Sequence, residues 1–309
     1  MNETRCQIFG LCLDVPFPVG PELQAPPHLP VDVHVAFAPA PATLTGVVHA
    51  YTYAGSGIEV EVDASGSVLL RTPGARFHVA DGRTVAIELT RTGVKPAALR
   101  QMVLHYCVPA LLNQRGFFAL HANALSTAAG AVVLAGHSGG GKSTLHAALL
   151  ARGVPMLSDD VTVLRADGEA ISVLPGMRRY RMVADAVAQV RPPNDRSVAL
   201  GGPRNKVALW APTTLFHSEP APLAAVYVLE PYPGAVLSMT RVAGFAAFRM
   251  LQTQSYPPLE SMALPQHIQS FAALVGRLRV YHVRRPVDRW TVDELAELVL
   301  RADPPADHG

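Results

Sequence analysis

The sequence predicts an α/β protein: a P-loop domain preceded by a small β-rich domain. Three observations carry this. The run Gly136-His137-Ser138-Gly139-Gly140-Gly141-Lys142-Ser143 matches G-x-x-x-x-G-K-[ST] in full, follows an apolar strand and opens a helix. From Phe117 onward short strands are interspersed with helical segments. Between Val31 and Thr92 apolar and polar residues alternate with period two instead, as half-buried strands require. The expected organisation is a proline-rich lead-in over 1–30, a β-rich N-terminal domain ending in a helix over 31–115, a P-loop catalytic domain over 116–302 and a tail over 303–309.

Length and composition bound the alternatives. A chain of 309 residues with 49% hydrophobic and 16% charged residues can bury a large core, which excludes a disordered or collagen-like polymer. Net charge is +2, so neither nucleic acid nor an anionic membrane is expected as a partner. Cys6, Cys12 and Cys107 are odd in number and lack C-x-x-C spacing, which argues for free thiols rather than disulfides or a zinc site. The apolar stretch Ile8–Leu13 is broken by Asp14 and Pro16 and does not read as a signal peptide. A cytoplasmic protein is expected.

The elements follow in order. Six prolines between Pro16 and Pro30 argue against a continuous helix or a central strand, so residues 1–30 are expected to be extended. Val31–Val35, Gly57–Val62 and Thr84–Leu89 predict strands of a small antiparallel sheet, with Asp81-Gly82 as a hairpin turn. Pro96 to Gly116 predicts a helix with a kink at Pro109; His105 and Cys107 on it lack a third metal ligand at helical spacing. Short strands are expected at Phe117–Leu120, Ala122–Ser126, Ala131–Ala135 and Val154–Leu157, with a helix from the motif to Arg152. Asp167-Gly168 predicts another hairpin. Residues 191–212 are expected to form a long loop, and Leu223–Leu229 with Ala235–Val242 a hairpin. Helices are expected at Ala243–Gln254, where Phe245, Phe248, Met250 and Leu251 suggest a core face, and at Pro265–Leu278. Arg279–Val283 predicts a strand, and Thr291-x-x-Glu294 a capping box opening the last helix.

The motif has a defined chemistry. Glycines let backbone amides close around a phosphate, and the helix that follows points its free N–H groups at the same anion. Gly136 to Gly141, with Ser143 and Thr144, are the expected nucleotide-binding residues. Lys142 is expected to reach the β- and γ-phosphates, and the Ser143 hydroxyl to ligate Mg²⁺. Three subclasses are tested by inspection. No LSGGQ-like signature is present; Asn205-Lys206-Val207-Ala208 lacks the aspartate of a guanine-reading N-K-x-D; and a motor of the RecA type places its acid much further along.

Asp159 and Asp160 stand 16 residues past Ser143, at the end of the strand after the helix. A carboxylate there can meet a metal and the γ-phosphate, and its neighbour can accept the proton of an attacking hydroxyl. Asp160 is taken with Ser143 as a metal ligand, although the division of base and metal duties within the pair stays open. Lys206 is the expected loop cation for the transferred phosphate. Arg178, Arg179 and Arg181 read as solvated charges, and Arg284-Arg285 as surface.

Leu120-His121-Ala122, Gly136–Ser143 and Leu157-Ser158-Asp159-Asp160-Val161 together resemble the catalytic domain of bacterial HPr kinase/phosphorylase. They resemble still more the shorter HPr-kinase-related proteins, some of which modify peptides in natural-product pathways such as lasso peptides. The similarity is clearest over Phe117–Arg165 and does not extend to residues 1–95. It implies a P-loop domain related to phosphoenolpyruvate carboxykinase with a mixed sheet, and transfer of the γ-phosphate of a nucleotide to a serine. It also implies that His121 lies near the transferred phosphate, with catalytic roles for Lys142, Asp159 and Asp160. Two departures stand out. Gly136-His137-Ser138 replaces the family's Gly-Asp-Ser, and Leu174–Arg181 contains no second acidic metal ligand.

The expected activity is therefore an ATP- and Mg²⁺-dependent kinase acting on a serine of a peptide or small protein. The alternatives are a nucleotide-binding regulator or scaffold without kinase activity, and a kinase of a small metabolite. Assembly as a homo-oligomer stays open.

Overall fold

The computed structural model describes residues 4–53, 57–201, 205–255 and 265–301. The chain divides into two compact units, Met1–Ala119 with Tyr256–Phe271, and Leu120–Ser255 with Ala272–Gly309.

The first unit opens with a hairpin of β1 (Thr4–Ile8) and β2 (Leu11–Val15), where a separate lead-in was expected. The reason is plain: every proline of the stretch lies beyond Val15, so nothing prevents these two short runs from pairing. Then come β3 (Val33–Phe37), β4 (Val47–Tyr53), β5 (Ile58–Asp63), β6 (Val68–Arg71), β7 (Ala75–Ala80) and β8 (Thr84–Leu89), in the sheet order β1-β2-β3-β8-β7-β6-β5-β4. The sheet is larger than expected and mixed. From β4 to β8 it is antiparallel, but β3 is parallel to both β2 and β8. The proline-rich connection is long enough to cross from one end of the sheet to the other, so β3 need not reverse against β2.

The predicted kinked helix is two helices, α1 (Pro96–Met102) and α2 (Val108–Gln114), joined by a π-helical turn at Val103–Cys107. Pro109 has no N–H to give to the carbonyl four residues back, and the widened turn absorbs that missing bond. Gln114 ties α2 to the sheet, donating to Gly66 O at 2.7 Å and Val79 O at 3.0 Å. All three cysteines are buried free thiols.

The second unit begins at the last residue of β9 (Phe118–Leu120). It continues through β10 (Asn123–Thr127), β11 (Gly130–Ala135), α3 (Lys142–Ala151), β12 (Met156–Ser158), β13 (Thr162–Asp167), β14 (Ala170–Leu174), β15 (Arg179–Val183) and α4 (Ala184–Val190). After these come β16 (Arg196–Gly201), β17 (Lys206–Trp210), β18 (Ala221–Tyr232), β19 (Ser238–Val242) and α5 (Gly244–Gln252). The chain closes with α6 (Pro265–Val275), β20 (Val280–Pro286) and α7 (Val292–Leu300). The main sheet runs β12-β10-β11-β18-β14-β13-β9, with β20 also on β18 and β19 on β20. It is a mixed sheet, parallel at β11–β18–β20 and antiparallel elsewhere in the pairs that flank them.

Four expectations are corrected here. Where a loop over 191–212 was expected, β16 and β17 pair antiparallel and join β15 in a three-stranded sheet. The available signal is a pair of short apolar runs, Val198–Leu200 and Val207–Trp210, set among the Pro and Gly residues. β18 and β19 form no hairpin: β20 inserts between them, parallel to β18 and antiparallel to β19. Phe245 is 76% exposed rather than core. The Thr291 side chain makes no capping bond, and the Glu294 carboxylate is taken by Arg289 at 3.0 Å instead.

The helix α3 lies between two apolar cores. One contains Leu145 and Leu149 with Leu134, Leu229, Val283 and Leu295; the other contains Ala147 and Leu150 with Tyr180, Met182 and Leu209. Burial on both sides fixes α3, and with it the position of the glycine-rich loop that precedes it.

Candidate functional site

β11 ends at Ala135, and the chain turns through Gly136–Gly141 into α3. Glycine is required at two points. At Gly136, with φ 132°, a Cβ would lie 2.4 Å from the carbonyl oxygen of Leu229. Gly141, with φ 98°, holds the left-handed conformation at the helix start. The loop is further fixed by Gly140 N–H donating to His137 O at 2.9 Å and Gly136 N–H donating to Gln254 Oε1 at 3.1 Å.

Lys142 is 7% exposed. Its ammonium donates to Gly136 O at 2.5 Å and His137 O at 3.3 Å, so it sits inside the loop. Burial lowers its pKa from the ordinary value, against the pull of Asp160 and Asp159. Among the described residues no ion pair involves it. A buried ammonium outside any ion pair among the described residues, inside a turn that needs glycine at two points, has the chemistry of an anion site.

The acidic pair divides into two environments. Asp160 adopts φ 69°, its N–H donates to Asn123 Oδ1 at 3.3 Å, and its carboxylate pairs with the Arg181 guanidinium. His121 Nδ1 stands 3.8 Å from Asp160 Oδ1. Asp159 Oδ2 instead accepts the backbone N–H of Arg181 at 2.9 Å. Desolvation, reinforced by Asp160, pushes the Asp159 carboxyl up to about 7. His121 is shifted down, chiefly by burial, and is therefore neutral at pH 7. The turn between β12 and β13 is closed by Ser158 Oγ and Thr162 Oγ1, 2.9 Å apart, and by Thr162 Oγ1 donating to Ala122 O at 2.9 Å.

A cavity of about 310 Å³ brings most of the predicted residues together: His121, His137, Ser138, Gly139, Gly141, Lys142, Ser143, Thr144, Asp160 and Lys206 all line it. That volume is at the small end of ligand pockets. Asp159 does not line it, nor do Gly136 and Gly140, whose part is in the backbone of the turn. Lys206 lies at the start of β17 rather than in a loop.

Three contributors escape sequence reading. Arg181 and Arg285, taken above as solvated, both line the cavity, and Gln254 holds Gly136 from a segment 118 residues away. Alternation along β15 was the available signal for Arg181: Tyr180 and Met182 are buried, which turns 179, 181 and 183 to the other face.

The residues fit a magnesium nucleotide. The loop and Lys142 offer donors for phosphate oxygens, and the Ser143 hydroxyl and Asp160 offer the one or two oxygen ligands that Mg²⁺ takes from protein. Among the described residues no group of three or more His, Cys, Asp or Glu gathers as an all-protein metal cage. No helix of the described residues is long and apolar enough to cross a membrane.

No protein-family model matches the chain, and no curated protein matches it. Among solved structures it is similar to the Hpr(Ser) kinase/phosphatase from Coxiella burnetii, at 14% identity and a TM-score of 0.30. The alignment covers 60% of this chain and 92% of the other.

Proposed function

We propose that this protein is an ATP- and Mg²⁺-dependent phosphotransferase that moves the γ-phosphate to a hydroxyl, with a serine of a peptide or small protein as acceptor. The observation that carries the proposal is the Lys142 ammonium, buried in the glycine turn outside any ion pair among the described residues and sharing one cavity with Ser143 and Asp160.

The roles follow from the surroundings of each group. The loop amides and Lys142 bind the polyphosphate; Lys142 exchanges its carbonyl partners for phosphate oxygens. Ser143 and Asp160 would hold Mg²⁺, which would supply charge neutralisation on the polyphosphate. Arg181, paired with Asp160, lines the same cavity and can offer its guanidinium charge to the transferred group. His121 is neutral and beside Asp160, so it can accept the proton of the acceptor hydroxyl. Asp159 positions Arg181 through the backbone of β15.

The test is incubation with γ-labelled ATP, Mg²⁺ and serine-containing peptides, followed by mass analysis. Transfer is expected, and Lys142→Ala should lower its rate by roughly 10²–10³. Near-normal turnover in that variant, or binding of ATP with no transfer to any hydroxyl, contradicts the proposal.

A further inference from the structure

Arg285 is a cation of the cavity that the scheme above leaves unused. Its position follows from the register of three parallel strands. Ala135 of β11 pairs with Val228 of β18, and Val228 with His282 of β20. Arg285 therefore stands three residues beyond the end of β11, about 10 Å along the strand direction. Side chains alternate along β20. Tyr281 and Val283 enter the core that contains Leu145 and Leu149 of α3. Arg285, next in the same row, emerges over the start of α3. Arg284 points the other way, with its guanidinium carbon 4.2 Å from the centre of the Tyr232 ring.

The guanidinium grips the glycine turn. Nε–H donates to Gly140 O at 2.8 Å, Nη2 to Gly139 O at 3.2 Å and Nη1 to Pro286 O at 3.4 Å. A Cβ on Gly141 would lie 3.0 Å from Nε. Pinning the Gly140 carbonyl also fixes the next amide: in a planar trans peptide the Gly141 N–H must point the opposite way. A guanidinium carries five N–H donors, so two remain beyond these three bonds. Among the described residues no ion pair involves Arg285, in contrast to Arg181, which is paired with Asp160.

We propose that Arg285 is a polyphosphate-binding residue: it clamps the Gly139 and Gly140 carbonyls and offers its remaining donors and charge to the β-phosphate. This rests on the nucleotide-binding function proposed above. The group it recognises is a nucleoside diphosphate or triphosphate and not a monophosphate, because the amides of a G-x-x-x-x-G-K-[ST] turn cradle the α- and β-phosphates together and its lysine reaches the β- and γ-phosphates.

The experiment titrates AMP, ADP and ATP with Mg²⁺ into the intact chain and into Arg285→Gln and Arg285→Lys. For Arg285→Gln the expected result is a loss of tenfold or more in affinity for ADP and ATP, with less than twofold for AMP; Arg285→Lys, which keeps the charge, recovers part of it. Equal affinity in Arg285→Gln, or equal loss for all three nucleotides, overturns the assignment. Modification of the unaltered protein by phenylglyoxal, mapped by mass spectrometry, covers the case in which the glutamine variant does not fold. ADP, but not AMP, should protect Arg285, and unprotected Arg285 in the presence of bound ADP overturns the assignment. If the unaltered chain binds ADP and ATP and only the Arg285 outcomes fail, this inference alone falls. If it binds neither, the proposed function falls with it.

Discussion

The two units cover their strands differently. In the first, strands such as β7 and β8 alternate buried and accessible side chains, and charges are matched across the sheet: Arg71 with Glu59 and the buried Glu61, and Arg76 with Glu88. In the second, β11 is buried over five successive residues and β18 over six. Strands covered on both faces leave room for polar groups only at their ends. Those ends are where Lys142 and Arg285 stand, neither in an ion pair among the described residues. A buried cation kept without its own anion is tolerated where a ligand supplies the anion, which is the arrangement that the proposed function needs.

Glycine substitutions sharpen the contrast most. Gly136 and Gly66 both have positive φ, but a Cβ on Gly136 meets the Leu229 carbonyl while a Cβ on Gly66 meets nothing within 4 Å. Gly136→Ala should therefore destabilise by about 3 kcal/mol or more, from strain and overlap together. Gly66→Ala should cost only about 1 kcal/mol, the penalty of the left-handed conformation alone. Denaturant melts of the two variants decide it; equal losses would mean that the glycine turn is no tighter than an ordinary surface turn.

A smaller effect probes the helix behind the turn. His146 is fully buried on α3, its ring stacks on Tyr180 with centroids 5.6 Å apart, and neither ring nitrogen has a hydrogen-bond partner among the described residues. Burial pushes its pKa down from 6.5 to about 3. Between those values the unfolded chain binds the proton and the folded chain does not, so stability falls as the pH drops below 6.5. At pH 5 the loss is on the order of 2 kcal/mol. His146→Leu removes this term. Its melting temperature relative to the parent should rise from pH 7 to pH 5, and parallel pH profiles would show that His146 does not titrate in this way.

What sequence could reveal follows contact distance. The glycine turn, Lys142 and Ser143 lie within eight consecutive residues and obey one local rule, so they are legible together. The same holds for the strands of the first unit, whose period-two pattern is local. Arg285 is not legible, because it acts 145 residues from Gly140 and is delivered by the register of β18 and β20, which depends on a crossover rather than a turn. The misread hairpin of β18 and β19 fails for the same reason: β20, which separates them, is later in the chain. Asp159 and Asp160 are adjacent and chemically identical, and no local rule says which of them faces the cavity and which bonds to β15.

The central claim is that the glycine turn and its buried ammonium hold a magnesium nucleotide. Calorimetric titration of the intact chain with Mg·ATP tests it most directly. Saturable uptake of about one equivalent is expected, with affinity in the range of roughly 1 μM to 1 mM typical of enzyme substrates, and its loss in Lys142→Ala. A folded chain that takes up no Mg·ATP, or a Lys142→Ala variant that binds it as tightly as the parent, would contradict the account.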